Sequence, residues 1–365
     1  MPRSIGIDLT ACWRPRAGML TVAIEVTAAM LAEAGPDHRF TLFCSRERPA
    51  PLNGAAAGAR AVLSPHRHEV LNKLRWLPAV EAGAGLDAVL YPYWPCPPRR
   101  RPGAPPAAMY VHDLAYRARP REVPWQQRVY MGSVMPGALR AASAVLTPSE
   151  ATRRDLLAHY PLRGLEERVR VVPEGWSLGT VEPAPPPADL APGFLLAVGT
   201  IEPRKNYPRL LAAYRRLKSR GPAPELAVVG RVGWAYGGAL DELRAEPGVR
   251  LLGGVDDARL RGLYRAAGAL AFPSLYEGFG LPLLEAMAEG LPALAGDAGA
   301  LPELAGDAAL LVDPLDVEAI AAGLERVLGD TELRARLAEA GPRRAAAYTW
   351  AGAGRAALQT LDALP

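Results

Sequence analysis

The sequence contains few cysteines and no long hydrophobic run. Its three cysteines, Cys12, Cys44 and Cys96, are odd in number and widely spaced, so they suggest neither a disulfide framework nor a zinc site. No stretch of about eighteen apolar residues is free of charge, Pro and Gly, and the strand-like segment Ser4–Asp8 follows no charged and apolar leader. We expect a cytoplasmic protein, with peripheral contact at the inner membrane face as an open alternative.

Motifs that hold metals or read nucleic acids are also missing. No Asp-x-Asp pair follows a predicted strand, so no pair of carboxylates is offered to a divalent ion beside a diphosphate. The basic residues do not cluster with aromatic residues as they do in nucleic-acid readers. We therefore expect no metal, no other cofactor and no nucleic-acid partner.

Acidic residues are outnumbered in the first part of the chain. Residues 1–178 contain 23 Lys and Arg against 15 Asp and Glu, a net charge of +8, whereas the remainder carries −4. Arg99, Arg100 and Arg101 stand in a Pro-rich stretch, 91–106, which predicts a surface loop. A basic surface suits an anionic acceptor or a membrane, although the bias is equally consistent with composition and solubility alone.

Short apolar runs alternate with longer amphipathic segments, which is typical of parallel strands joined by crossover helices. The predicted strands are Ile5–Asp8, Phe40–Cys44, Ala88–Tyr91, Ala108–His112, Ala144–Thr147 and Val169–Val172, then Phe194–Val198, Leu226–Val229, Val249–Leu252, Ala269–Phe272, Ala293–Ala295 and Ala309–Val312. The predicted helices of the first part are Thr21–Glu33, Trp125–Ala141 and Ser149–His159. The sequence thus predicts an α/β protein with two parallel sheets.

A Pro-rich segment separates the two series of strands. Glu182–Ala188 can form neither a helix interior nor a sheet ladder, because four of its seven residues are proline. We expect a first domain over 1–178, a linker over 179–192 and a second domain from residue 193.

The most informative motif runs from Pro273 to Gly290. Gly278 and Gly280 allow a sharp turn that brings backbone N–H groups to a ligand, and Pro282 is suited to the first turn of a helix. Glu277 precedes that helix and Glu285 lies within it, so two carboxylates can accept hydrogen bonds from sugar and ribose hydroxyls. The alternative is a glycine-rich turn before a capped helix with Glu285 on its solvated face.

This motif resembles the signature of glycosyltransferase family 4, in which Glu277 and Glu285 are separated by seven residues. Further segments resemble the family in the same order: 198–206 its phosphate-binding stretch, Val111–Asp113 its histidine motif, 147–150 and 172–175 the close of its first domain, and 348–350 the start of its last helix. The resemblance implies the GT-B fold, with two Rossmann-like domains facing each other across a cleft. It also implies that the second domain ends at residue 348 and that helix 349–365 crosses back to the first.

The resemblance also implies roles for particular residues. His112, Arg204, Lys205 and Glu277 are expected to be catalytic. Donor binding is assigned to Gly18, Thr200, Arg204, Lys205, Glu277, Gly278, Phe279, Gly280, Leu281 and Glu285, and the acceptor side to Asp113, Arg99, Arg100 and Arg101. Of the glycine-rich stretch that many members carry after the first strand, this chain retains Gly18.

The function implied is metal-independent transfer of a hexose from a nucleotide-diphosphate sugar, of the GDP-mannose or UDP-glucose type, with retention of configuration. The acceptor would be a saccharide, a lipid-linked compound or a small molecule. Two alternatives stay open: a nucleotide-sugar 2-epimerase on the same fold, and a non-catalytic protein that binds sugar nucleotides.

Overall fold

The chain folds into two compact units of parallel sheet and helix. The computed structural model describes residues 2–12, 18–45, 47, 49, 52, 58–66, 72–93, 95–234 and 237–365. The first unit comprises Met1–Arg117, Gln126–Gly175 and Thr349–Pro365, and the second comprises Ala118–Trp125 and Trp176–Tyr348. The Pro-rich residues 182–188 lie within the second unit, where Gly262 leaves room for the carbonyl oxygen of Ala184.

The first unit contains a seven-stranded parallel sheet in the order β3-β2-β1-β4-β5-β6-β7. Its strands are β1 (Arg3–Leu9), β2 (His38–Cys44), β3 (Arg60–Leu63), β4 (Ala88–Tyr91), β5 (Ala107–Tyr110), β6 (Ala144–Thr147) and β7 (Val169–Val171). Six of these strands are confirmed predictions. The seventh, β3, was missed because this edge strand is short and largely exposed, so it lacks the buried apolar pattern of its neighbours.

Helices connect these strands. They are α1 (Met19–Glu33), α2 (Leu77–Gly83), α3 (Ala115–Ala118), α4 (Trp125–Ala141) and α5 (Glu150–His159). The three predicted helices of this part, α1, α4 and α5, are confirmed. Ser149 caps α5, because its hydroxyl accepts a hydrogen bond of 3.0 Å from the backbone N–H of Thr152.

The second unit contains a six-stranded parallel sheet in the order β10-β9-β8-β11-β12-β13. Its strands are β8 (Leu195–Val198), β9 (Leu226–Val229), β10 (Val249–Gly253), β11 (Ala269–Phe272), β12 (Ala293–Gly296) and β13 (Leu310–Val312). All six were predicted. Its helices are α6 (Tyr207–Arg220), α7 (Gly237–Ala245), α8 (Asp257–Ala266), α9 (Leu281–Ala288), α10 (Leu301–Ala305), α11 (Val317–Gly329) and α12 (Thr331–Ala345).

The core of the second unit lies on both faces of its sheet. Alternate residues of β8 divide between the two hydrophobic clusters: Leu196 and Val198 pack on one face, Leu195 and Ala197 on the other. A strand buried on both faces reads as a continuous apolar run, which explains why these strands were visible in the sequence.

The last helix, α13 (Trp350–Asp362), belongs to the first unit. It packs on α1 at a point where Gly354 approaches Ala29 so closely that an added Cβ would lie 2.7 Å from the Ala29 Cβ. The guanidinium of Arg3 donates to the carbonyl oxygens of Leu361 and Leu364 near its end.

A helix must be long and apolar to cross a membrane. Among the residues that the structure describes, no helix has the length and apolar character needed to cross a membrane.

Candidate functional site

The second sheet places two chemically active loops side by side. Its strand order reverses between β8 and β11, which pair with each other although β9 and β10 intervene in the chain. Ligands of open α/β sheets bind beyond the carboxyl ends of the strands at such a reversal. The loop after β8 carries Arg204 and Lys205, and the loop after β11 carries Glu277, so both predicted segments lie at this position.

The loop after β8 is held in a fixed conformation. Pro203–Lys205 form a 3-10 turn, and Asn206 follows with a φ of 62°, a left-handed conformation that Asn tolerates better than most residues. The Asn206 amide donates to the carbonyl oxygens of Pro273, at 3.0 Å, and Pro314, at 2.6 Å. Asn206 thereby fixes this loop to the loops after β11 and β13.

Glu277 stands between two cations. Its Oε1 accepts a hydrogen bond of 2.6 Å from Lys205 Nζ, and its Oε2 accepts one of 2.6 Å from Arg204 Nη1. Arg204 also pairs through Nε with Glu202, a buried residue that sequence reasoning did not select. The cluster therefore contains two cations and two carboxylates.

Burial and neighbouring charges shift the pKa values of this cluster in opposite directions. Burial would raise the pKa of Glu277, but Arg204 and Lys205 outweigh it and hold the pKa at about 2. Burial lowers the pKa of Lys205, and the nearby Glu277 opposes that change. The ammonium of Lys205 also lies 4.7 Å from the centre of the Phe272 ring, which stabilises a cation in a poorly hydrated position.

The glycine-rich segment forms the turn into α9. Gly278, Phe279 and Gly280 are buried, and Gly280 adopts a φ of 115° that an L side chain rarely adopts. The Phe279 ring packs edge-on against Tyr348 at 5.6 Å, so its side chain belongs to the core and only its backbone suits a ligand. Leu281 begins α9 and is partly buried against the same core.

Gly299 is a constraint on Glu277 that sequence reasoning missed. It has a φ of 59°, and an added Cβ would lie 2.5 Å from the Glu277 carbonyl oxygen and 2.9 Å from its nitrogen. The next residue, Ala300, donates its N–H to that carbonyl at 3.0 Å. The turn after β12 thus fixes the Glu277 backbone, and a lone glycine in the sequence gives no sign of this long-range contact.

Glu285 has a hydrogen-bond partner of its own. Its Oε2 accepts a hydrogen bond of 2.8 Å from the hydroxyl of Tyr264, which is buried and comes from α8. Burial raises the pKa of Glu285 to about 7; the hydrogen bond from Tyr264 opposes the rise and the charge of Asp257 adds to it.

Thr200 lies where the loops after β8 and β9 meet. An added Cβ on Gly233 would be 2.8 Å from its methyl group, so the two loops are in contact. The adjacent Ile201 lines a cavity of about 400 Å³ in the same unit. The cavity is also lined by Val228, Gly230, Val232, Leu240, Arg244, Val249, Leu251 and Gly253.

In the first unit, His112 follows β5 and is buried. Its Nε2 lies 2.8 Å from the carbonyl oxygen of Pro92, and its Nδ1 lies 3.6 Å from Oε1 of Glu174. Its ring stacks on that of Tyr110, with centroids 5.5 Å apart. The adjacent Asp113 uses its carboxylate to accept the N–H of Ala115 at 3.0 Å, at the start of α3.

Gly18 stands directly before α1 with a φ of 48°. An added Cβ there would meet no atom within 4 Å, so its backbone conformation, and not crowding, favours glycine.

The three consecutive arginines of the first unit differ in their exposure and in their contacts. Arg99 and Arg101 are exposed. Arg100 instead turns towards α2, where its guanidinium lies 3.4 Å from Oε2 of Glu81 and donates to the Tyr91 hydroxyl at 2.9 Å. It also donates to the Pro105 carbonyl at 2.6 Å. Arg100 therefore has a structural role in this loop that the sequence did not indicate.

Metal-ligating side chains show no grouping in the described ranges: no three or more His, Cys, Asp or Glu residues there are arranged to hold an ion.

Comparison with known proteins covers almost the whole chain. Residues 182–344 match the family described as glycosyl transferases group 1, and residues 18–178 match glycosyltransferase family 4. O-antigen chain mannosyltransferase B of Escherichia coli is 33% identical over 261 residues, which is 67% of this chain and 67% of that protein. The chain belongs to the group 1 glycosyltransferases, in family 4. The predicted family and enzyme class are confirmed.

Further similar proteins include another curated relative and two solved structures. Phosphatidyl-myo-inositol mannosyltransferase of Mycolicibacterium smegmatis is 34% identical over 211 residues, 54% of this chain and 52% of that protein. Sucrose-phosphate synthase of Thermosynechococcus elongatus matches with a TM-score of 0.73 at 20% identity, over 98% of both chains. HepE of Anabaena, solved with UDP and glucose, has a TM-score of 0.72 at 19% identity, over 99% of this chain and 100% of that one. These structures confirm the GT-B fold class.

Proposed function

We propose that this glycosyltransferase transfers a hexose from a nucleotide-diphosphate sugar to a saccharide, lipid-linked or small-molecule acceptor, with retention of configuration and without a metal. The observation that carries the proposal is the contact of Arg204 and Lys205 with Glu277 at the strand-order reversal of the second sheet. A diphosphate requires cations and the sugar requires acceptors for its hydroxyls, and this cluster supplies both.

The two cations act on the leaving group. Negative charge grows on the diphosphate as the bond from the anomeric carbon to the phosphate oxygen breaks, so Arg204 and Lys205 stabilise the transition state more than the bound donor. Because both cations contact Glu277, a diphosphate competes with this carboxylate for them. Glu277 then accepts hydrogen bonds from the sugar hydroxyls.

The remaining residues orient the donor and the sugar. The backbone N–H groups of Gly278–Gly280 lie at the turn into α9 and supply further donors to the diphosphate. Glu285 accepts hydrogen bonds from the ribose, and His112 contacts the transferred sugar. The acceptor hydroxyl attacks the anomeric carbon on the face from which the diphosphate leaves, and its proton passes to the departing diphosphate.

Relatives support the chemical class of the donor. Several curated relatives are named mannosyltransferases, and HepE of Anabaena was solved with UDP-glucose. We therefore propose a GDP-mannose or UDP-glucose type of donor. The basic first unit suits an anionic acceptor, including one at a membrane surface.

A direct test is to incubate the protein with a panel of nucleotide sugars and with saccharide or lipid-linked acceptors. We expect release of the nucleoside diphosphate and a gain of one hexosyl residue by the acceptor in the mass spectrum, and loss of both in the Glu277→Gln variant. A reaction with the donor alone that yields an isomerised nucleotide sugar would instead identify an epimerase. Binding of a nucleotide sugar without turnover in the presence of any acceptor would indicate a non-catalytic protein.

A further inference from the structure

Lysine is rare in this chain, and two of its three lysines occupy equivalent places in the two sheets. The chain has 42 Lys and Arg residues, of which Lys73, Lys205 and Lys218 are the lysines. Lys218 forms a partly exposed ion pair with Glu246. Lys205 lies at the strand-order reversal of the second sheet. Lys73 belongs to the first unit, where it occupies the corresponding place.

The strand order of the first sheet reverses between β1 and β4, which pair with each other although β2 and β3 intervene in the chain. Asp8 and Tyr91 directly follow the last paired residues of these strands, Ile7 and Leu90. Nζ of Lys73 donates a hydrogen bond to Oδ2 of Asp8 and lies 5.3 Å from the centre of the Tyr91 ring. The ammonium therefore lies at the carboxyl ends of these two strands, which is where ligands of open α/β sheets bind.

The second unit has the same arrangement around Lys205. Its ammonium pairs with the carboxylate of Glu277 and lies beside the ring of Phe272, the last residue of β11. The ammonium of Lys73 likewise pairs with a carboxylate, that of Asp8, and lies beside the ring of the last residue of β4. Each lysine side chain is 9% exposed. Lys73 is therefore as accessible as the lysine proposed to bind the donor diphosphate, and its burial does not exclude a ligand.

A buried asparagine next to each lysine fixes the segment that carries it. The side-chain amide of Asn72 donates to the Ser45 hydroxyl at 2.9 Å and accepts a hydrogen bond from the Ser64 hydroxyl. Ser45 follows β2 and in turn donates to the carbonyl oxygen of Thr10, which follows β1. The loops after β1, β2 and β3 are thus joined through the residue before the lysine. Asn206 joins the loops of the second unit in the same way.

The chemistry of the Lys73 site suits a phosphate group. An ammonium carries three N–H donors, and within the described part of the chain Asp8 is the hydrogen-bond acceptor that Lys73 contacts. A buried ion pair contributes little net stability, because the desolvation of two charges offsets their attraction. A ligand therefore explains the pair better than fold stability does. Lysine binds phosphate as a point charge, and residues 1–178 carry a net charge of +8 that attracts anions.

We propose that Lys73, positioned by Asp8 and Asn72, binds a phosphate group of the acceptor. The inference rests on the proposed function, because it names the chemistry of the acceptor in the same transfer. The acceptor is then a phosphorylated compound, either a sugar phosphate or a lipid phosphate, in which another hydroxyl receives the hexose.

The small number of lysines makes this site measurable in the wild-type protein. Carbon-13 NMR of protein labelled in its lysine side chains should give three signals, assigned by Lys73→Arg, Lys205→Arg and Lys218→Arg. UDP or GDP should shift the Lys205 signal, which tests the proposed donor site. With that nucleotide present, glucose 6-phosphate or dihexanoylphosphatidic acid should shift the Lys73 signal and leave that of Lys218 unchanged. Glucose, the matched compound without phosphate, should shift neither signal.

The two phosphate probes distinguish the sources of the acceptor. A Lys73 shift with the sugar phosphate alone assigns a sugar phosphate, and a shift with the lipid alone assigns a lipid phosphate. Absence of a Lys73 shift with both probes and with inorganic phosphate would overturn the inference. Absence of a Lys205 shift with UDP and GDP would count against the proposed function instead.

Kinetics separate a phosphate contact from a purely structural role. The wild-type KM should be about tenfold lower for a phosphorylated acceptor than for the same compound without phosphate, the scale of one charge-assisted contact. Lys73→Gln should abolish this difference and leave the donor KM unchanged, whereas the control Lys218→Gln should keep it. If Lys73→Gln alone does not fold, the double variant Asp8→Asn with Lys73→Gln removes both charges of the pair. A folded variant that retains the full preference for the phosphorylated acceptor would refute the inference.

Discussion

The hydroxyl of Tyr264 donates a hydrogen bond of 2.8 Å to Oε2 of Glu285, and both residues lie in the second unit. Burial raises the pKa of this carboxyl to about 7, while the Tyr264 hydrogen bond holds it below the value that burial alone would set. The raised pKa means that Glu285 loses its negative charge as the pH falls through 7. In the proposed donor site, its capacity to accept hydrogen bonds from the ribose hydroxyl groups falls with that charge.

We therefore expect nucleoside diphosphate affinity to decline by about tenfold between pH 8 and pH 6, in proportion to the ionised fraction of Glu285. Glu285→Gln should remove this pH dependence. The affinity should then vary with pH only through the protonation of the nucleotide phosphate. Tyr264→Phe should move the transition to higher pH, because it removes a hydrogen bond that lowers the pKa. Calorimetric titrations of the wild type, Glu285→Gln and Tyr264→Phe at several pH values measure these pH dependences. Identical pH profiles for the wild type and Glu285→Gln would exclude Glu285 from the ribose site.

The exposed arginines of the first unit should act on the acceptor alone. Charge reversal of both Arg99 and Arg101 is expected to weaken use of an anionic acceptor at low salt, where electrostatic attraction is least screened, and to leave donor KM unchanged. Steady-state kinetics at two ionic strengths check this. An acceptor KM that does not respond to the reversal at low salt would remove these residues from the acceptor side.

Arg100 should respond differently from its neighbours. Arg100→Ala removes the guanidinium that pairs with the buried Glu81 and donates to Tyr91, so it should destabilise the fold. The pKa of Glu81 is about 7, raised by burial and lowered by Arg100, so this carboxyl can protonate and limit the loss to about 1–3 kcal/mol. Thermal unfolding of Arg100→Ala and of the control Arg99→Ala compares the stability of the two variants. Equal unfolding midpoints would show that the Arg100–Glu81 ion pair contributes nothing to stability.

A chelator should leave turnover intact. The cations that the proposed mechanism requires are the side chains of Arg204 and Lys205, which need no divalent ion to neutralise the diphosphate. Initial rates in EDTA should equal those in buffer. Loss of activity that manganese or magnesium restores would show that a metal holds the diphosphate.

The product should keep the anomeric configuration of the donor. Proton NMR of the product made from an α-linked nucleotide sugar is expected to show an α linkage. A β linkage would mean that the acceptor attacks from the opposite face, which the proposed mechanism does not allow.

Much of the fold follows from local patterns. The inner strands are buried on both faces and appear as short apolar runs, and Ser149 and Pro282 have local reasons for their places at helix starts. Edge strand β3 offers a run of only three apolar residues, 61–63, and three of its four residues are exposed. Local pattern therefore reveals buried elements better than exposed ones.

The candidate site was predictable only in part, because its contacts join residues that are distant in the chain. Arg204, Lys205 and Glu277 stand in segments with a recognisable spacing, but their mutual contact depends on the pairing of β8 with β11. Gly299, Tyr264 and Lys73 act through contacts with residues distant in the chain, and none has a local pattern that marks it. The difference between Arg100, which pairs with the buried Glu81, and its two exposed neighbours likewise depends on which side chain reaches Glu81.

The most direct test of the donor site is calorimetry of nucleoside diphosphate binding to the wild type, Lys205→Ala and Glu277→Gln, with Lys218→Ala as a control that removes a more exposed ion pair with Glu246. We expect Lys205→Ala to bind at least about tenfold more weakly, because a charge-assisted contact with the diphosphate is lost. Glu277→Gln should bind as tightly as the wild type or more tightly, because the carboxylate no longer competes for the two cations, and Lys218→Ala should match the wild type. Equal affinities in all four proteins, each folded by circular dichroism, would show that the diphosphate is bound elsewhere.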